Sequence, residues 1–183
     1  MELKKNIIAL ALVSVLSACG GSNSSPAVVD PIETVINGKA IKGTIADGIV
    51  TVFKFVNGLP VKLTPEELTT SDITTENDGS YTITVLDYDG PIKIELSVGE
   101  NTTMICDAQS GCGDVAFGEA IDLSTVDPEF TLSAISTVSV DSGAEVNVNV
   151  SALTHLAAEL IEAKAAESGT ANAVLVQEQS SAI

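Results

Sequence analysis

The fold turns on SYTITVLDYDGPIKIELSV, residues 80 to 98. In its first half Tyr81, Ile83 and Val85 alternate with Thr82 and Thr84. In its second half Ile92, Ile94, Leu96 and Val98 alternate with Lys93, Glu95 and Ser97. A period of two puts successive side chains on opposite faces, so each half reads as a half-buried strand. The Asp89-Gly90-Pro91 punctuation between them reads as a turn. The same pattern extends outward on both sides. In GIVTVFKFV (48–56), Ile49, Thr51, Phe53 and Phe55 share one face, and Val50, Val52 and Val56 the other. In AEVNVNV (144–150), Val146, Val148 and Val150 alternate with Asn147 and Asn149. Turn signals stand between the segments at Asp47-Gly48, Asn57-Gly58, Asp78-Gly79 and Ser142-Gly143. Many short strands without an intervening helical pattern predict an antiparallel β-sandwich over residues 38–150.

At Ser151 the period changes. In SALTHLAAELIEAKAAESG, Leu153, Leu156, Ala157, Leu160 and Ile161 recur at helical spacing, with Ser151 placed to cap the start and Gly169 the end. The spacing predicts an amphipathic helix in a C-terminal segment, 151–183. Its apolar stripe is expected to pack on the sandwich or on another helix. A membrane-surface helix fits poorly, because Glu159, Glu162 and Glu167 outnumber Lys164 on the polar side.

Three pieces, GTIADGIVTVFKF (43–55), TTENDGSYTITVL (74–86) and GPIKIELSV (90–98), together resemble the transthyretin-like, carboxypeptidase-regulatory-like sandwich of bacterial surface proteins. The resemblance covers about sixty residues and departs at Gly48, where the pattern has Ala. It implies a mainly β module that is non-catalytic, although a fold by itself does not define a function. The phrase VNVSALTHLAAEL also resembles the start of the helical region that follows such sandwiches in longer surface lipoproteins, so the chain is expected to be either a truncated relative of a larger one or a small lipoprotein in its own right.

The start of the chain carries an address. MELKKN has Lys4 and Lys5, IIALALVSVL (7–16) is an apolar run of ten, and Leu16-Ser17-Ala18-Cys19 follows. A charged start, a short apolar core and small residues before a cut site describe an export signal, residues 1–18. The run is too short to span a bilayer, which needs about 20 residues. LSAC resembles the lipobox of bacterial lipoproteins. That resemblance implies lipid attachment at Cys19, and Gly20 in place of Asp implies the outer membrane. Residues 19–37 then read as a lipidated tether, whose flexible reach of about 20–25 Å would lift the domain clear of the lipid headgroups.

Charge excludes several functions. The chain has 183 residues, a net charge of −17 and no arginine, and removal of residues 1–18 makes the remainder one unit more negative. Nucleic-acid binding requires a basic footprint, so no nucleic acid is expected as a partner. Phosphate-bearing substrates lack their bidentate arginine fork. Of the three cysteines, Cys106 and Cys112 in CDAQSGC are expected to form a disulfide in an oxidising compartment. Zinc would need further ligands, and the five-residue spacer differs from a redox CxxC.

Candidate chemistry is sparse. His155 is the sole histidine; beside Glu159 it suggests a Ser/His/acid fragment, but its place on the helical wheel predicts a solvent-facing side chain. Carboxylate pairs at Glu66-Glu67, Asp87/Asp89 and Asp127/Glu129 fall at turns, where acids are expected. Asp87 and Asp89, before Gly90, form a weak calcium candidate without the downstream ligand of an EF-hand. The lack of Trp argues against a polysaccharide-stacking face, leaving Tyr88 as the one plausible exposed platform. The sequence therefore predicts a non-enzymatic, cofactor-free protein, held to the membrane by lipid on Cys19. Its expected role is structural, adhesive or docking, towards an envelope protein or an extracellular polymer. The alternative is an accessory substrate-binding module of a surface hydrolase or secretion system.

Overall fold

The two halves of the opening segment fold into strands of different sheets. In the computed structural model, which describes residues 30–70, 72–140 and 145–180, the elements in chain order are β1 (Glu33–Ile41), β2 (Ile45–Ala46), β3 (Ile49–Val56), β4 (Leu59–Lys62), β5 (Ile73–Thr74), β6 (Ser80–Leu86), β7 (Gly90–Ser97), β8 (Thr103–Ile105), β9 (Ala120–Asp122), α1 (Leu123–Val126), β10 (Thr131–Val138), β11 (Val146–Asn147), β12 (Val150–Ser151), α2 (Ala152–Ser168) and α3 (Ala173–Ser180). The protein is mainly β, with antiparallel sheets and a C-terminal helical region. The signal region 1–18, Cys19, the first part of the tether and the Ser142-Gly143 turn lie outside the described residues.

One sheet is built on β1. It pairs antiparallel with β6, Ile36 opposite Ile83, and on its other edge runs parallel to β11 and β12, with Ile36 opposite Val146 and Ala40 opposite Val150. The stretch read as tether to residue 37 is already strand from Glu33, because Thr34, Ile36 and Ala40 are buried against the sheet. The valine segment after residue 145 is not antiparallel; Val146–Asn147 and Val150–Ser151 lie alongside β1 in parallel register.

A second sheet has the order β10-β7-β3-β4, with β5 added to β3. Its inner face carries Val50 and Val52, Ile92, Ile94 and Leu96, and Leu132 and Ala134, which share one core with Ile36, Ile83 and Val85 of the first sheet. On β3 the valine face is thus the core face, and Ile49 is exposed. The β3–β4 hairpin closes through Asn57-Gly58 with positive φ at both residues, the turn that matches strand twist. The departure at Gly48 also has a packing reason: a Cβ there would come within 2.9 Å of the Leu96 side chain. A small third sheet, β2-β8-β9, completes the molecule.

Candidate docking surface

The outer face of the β10-β7-β3-β4 sheet is polar at its centre, and α2 covers it. Lys93 on β7 is only 7% exposed, not the solvent-facing residue that alternation predicts. Its ammonium lies 2.6 Å from Glu162 on α2, 3.0 Å from Glu95, and 5.6 Å from the centre of the Phe53 ring. Burial disfavours the charge, but the paired carboxylates of Glu162 and Glu95 outweigh it and hold the lysine pKa above its ordinary value. A second anchor sits at the start of α2. Ser151 caps the helix by accepting from the Thr154 amide, and the Thr154 hydroxyl donates to the Ser133 carbonyl of β10 at 3.0 Å. At the other end Gly169 closes the helix in the left-handed region, and Gly58 of the β3–β4 turn tucks beneath.

These anchors decide which side of α2 faces inward. Ala158, Ile161 and Ala165 are buried, their small side chains allowing close approach to the sheet. The leucines expected to pack there face out: Leu153 is 58%, Leu156 64% and Leu160 38% exposed. Of the predicted stripe only Ile161 is buried. The outward leucine face is the candidate docking surface, since contiguous exposed apolar area marks interaction sites.

The histidine reading is reversed with the helix. His155 is half-buried against the sheet, its Nδ1 3.0 Å from the Ser133 hydroxyl. The pair has the atoms of a Ser–His contact. Ser133 is 1% exposed beneath α2, however, where an attacking hydroxyl could not meet a substrate. Its register on β10 gave the sequence reading no signal for this pairing.

The remaining candidates disperse. The Asp87 carboxylate accepts from the Ile32 amide at 2.8 Å, and its own amide donates to the Ile32 carbonyl, so it clasps the start of β1 to the end of β6; Asp89 is exposed. Glu67 bonds Lys54, which holds its carboxyl below the ordinary value, while Asp127 ends α1. The Tyr88 hydroxyl donates to the Pro91 carbonyl at 2.7 Å, and the ring is half-buried. Among the described residues no three His, Cys, Asp or Glu side chains gather as a metal site, and no helix is long and apolar enough to cross a membrane.

Cys106 and Cys112 are disulfide-bonded, with Cα atoms 5.8 Å apart. The loop they close borders an apolar groove of about 520 Å³, lined by Met104, Val115, Ile121, Leu123, Val126 and Phe130. Lys42 stands at its rim, 5.2 Å from the centre of the Phe130 ring. The sequence reading missed this groove, because its walls come from segments far apart along the chain.

No family model and no curated protein matches the chain. Among solved structures, a DUF3823 family protein from Parabacteroides merdae is similar at a TM-score of 0.32 and 9% identity, over 67% of this chain and 46% of that one. The chain thus spans less than half the length of that protein.

Proposed function

We propose that this chain is a non-enzymatic, lipid-anchored protein of the bacterial outer membrane, with a transthyretin-like, carboxypeptidase-regulatory-like β-sandwich that serves as a structural or protein-docking module. The anchor rests on the LSAC motif at Cys19, and the sandwich reading on the alternating strands at 43–98. The observation that carries docking is the leucine face of α2, held outward by the Lys93–Glu162 ion pair on the opposite side. A helix whose leucines are exposed and whose ionic side is buried is built to present those leucines. The groove beneath the disulfide loop favours a second reading, an accessory module that binds a substrate for a larger surface system.

A photoreactive residue at Leu156, in intact cells, tests the proposal alongside the same chain carrying Cys19→Ala. The expected result is a covalent adduct at Leu156 and a membrane-bound chain that becomes soluble when Cys19 is lost. A folded chain without any adduct overturns docking; a chain that is soluble with Cys19 intact overturns the anchor.

A further inference from the structure

The charges beside the leucine face point to the occupant that covers it. Leu153, Leu156, Leu160 and Ala163 are all exposed and follow the 3-4-3 spacing of a heptad seam, with Leu153 and Leu160 at a, Leu156 and Ala163 at d. On that assignment Glu159 is a g position and Lys164 the following e position. In a parallel pair of helices, a g residue of one faces the next e residue of the other, five positions on. The chain therefore carries an acid and a base in the one arrangement that joins α2 to its own copy. A foreign helix would have to bring its own lysine to meet Glu159; a copy already has it. Lys164 is exposed and now pairs with the exposed Glu167 at 3.2 Å; Glu167 occupies the next a position, where the apolar seam ends. The b, c and f positions, Thr154, His155, Ala158, Ile161, Glu162 and Ala165, are the ones that face the sheet, so the seam and the seat of the helix do not compete.

We propose that a second copy of this chain covers the leucine face, the two α2 helices pairing parallel and in register through Leu153, Leu156, Leu160 and Ala163. The inference rests on the docking reading and narrows it to self-association. Two heptads make a short seam, but α2 is already folded on its sheet, so pairing does not bear the cost of forming the helix. The high negative charge of the chain opposes association of copies, which makes the reciprocal Glu159–Lys164 contacts the feature that selects this register.

The test is oxidative cross-linking of the full chain in its membrane, with Leu153→Cys, Leu156→Cys and Leu160→Cys made singly, the unaltered chain as background and Val174→Cys on α3 as an exposed control. The expected result is a covalent dimer at all three seam positions, well above both controls. Glu159→Lys is expected to lower the dimer yield of Leu156→Cys severalfold, and Lys164→Glu added to it to restore the yield. Cross-linking of Leu153→Cys only to a copy carrying Ala163→Cys indicates antiparallel pairing and overturns the proposal. Adducts of another mass overturn self-pairing and leave docking standing. Absence of any adduct in chains that melt normally overturns self-pairing; docking falls with it only if the photoreactive Leu156 is also silent.

Discussion

The Tyr81 hydroxyl donates to the Val148 carbonyl across the face of Gly38. Tyr81 on β6 is directly opposite Gly38 on β1, and the ring crosses that strand to reach the parallel segment on its far side. The bare glycine makes room: a Cβ at Gly38 would stand 1.9 Å from the Val148 carbonyl oxygen and 2.4 Å from the Tyr81 ring. An aromatic laid over a strand glycine ties β6, β1 and the parallel segment together with one side chain.

Gly38→Ala is therefore expected to destabilise the protein more than Tyr81→Phe. The alanine forces the ring or the strand aside, an overpacking cost of about 1–3 kcal/mol or more. The phenylalanine keeps the packing and removes one buried hydrogen bond, a loss of roughly 1 kcal/mol with a further penalty for the stranded carbonyl. Urea unfolding of both variants measures the order, and a larger effect for Tyr81→Phe would contradict the packing role of Gly38.

Helix orientation gives a second prediction. Ile161→Ala empties a buried site and is expected to cost about 2–4 kcal/mol. Leu156→Gln changes an exposed residue and is expected to stay within about 0.5 kcal/mol for the isolated protomer. Thermal melts at low protein concentration distinguish this from the arrangement in which the leucines face the sheet, which would reverse the ranking.

The buried lysine sets an alkaline limit. Because the folded pKa of Lys93 is raised, its contribution is fully present below the unfolded lysine value, about 10.4, and is lost as pH rises through the folded one. Tyr81 acts in the same direction, since burial raises its pKa and the unfolded phenol ionises first, near 10. Melting temperature is expected to fall above about pH 10. In Lys93→Met the fall should be shallower, with the tyrosine contribution remaining. An unchanged alkaline slope in that variant would dissociate Lys93 from the effect.

The disulfide offers a fourth test. It closes a short loop, with six residues of sequence separation, and supports one wall of the groove. Replacement of both cysteines by serine is expected to lower stability by about 2 kcal/mol on chain-entropy grounds. Hydrogen exchange should rise first at residues 103–122, where the third sheet and its loop lie, and more slowly in β7. Uniform acceleration across the molecule would show the bridge supporting the main core.

Local signals in the sequence reached far. The alternation in 80–98 located β6 and β7, and put Tyr81, Ile83, Val85, Ile92, Ile94 and Leu96 in the core. Asn57-Gly58 marked a hairpin because positive φ at adjacent positions is a property of those residues themselves. Ser151 and Gly169 bounded α2 for the same reason, since capping is settled within one turn of chain. Tertiary structure alone decided the rest. The parallel run of residues 146–151 beside β1 depends on a pairing 110 positions away, as in Lys39 bonding the Asn149 side chain. The direction in which α2 faces was set by Lys93 and Ser133, which lie on other strands and meet the helix only when the sheet has formed. Apolar periodicity identifies a helix with two distinct faces; it does not say which face a sheet will accept when the sheet face beneath it carries a charge at its centre.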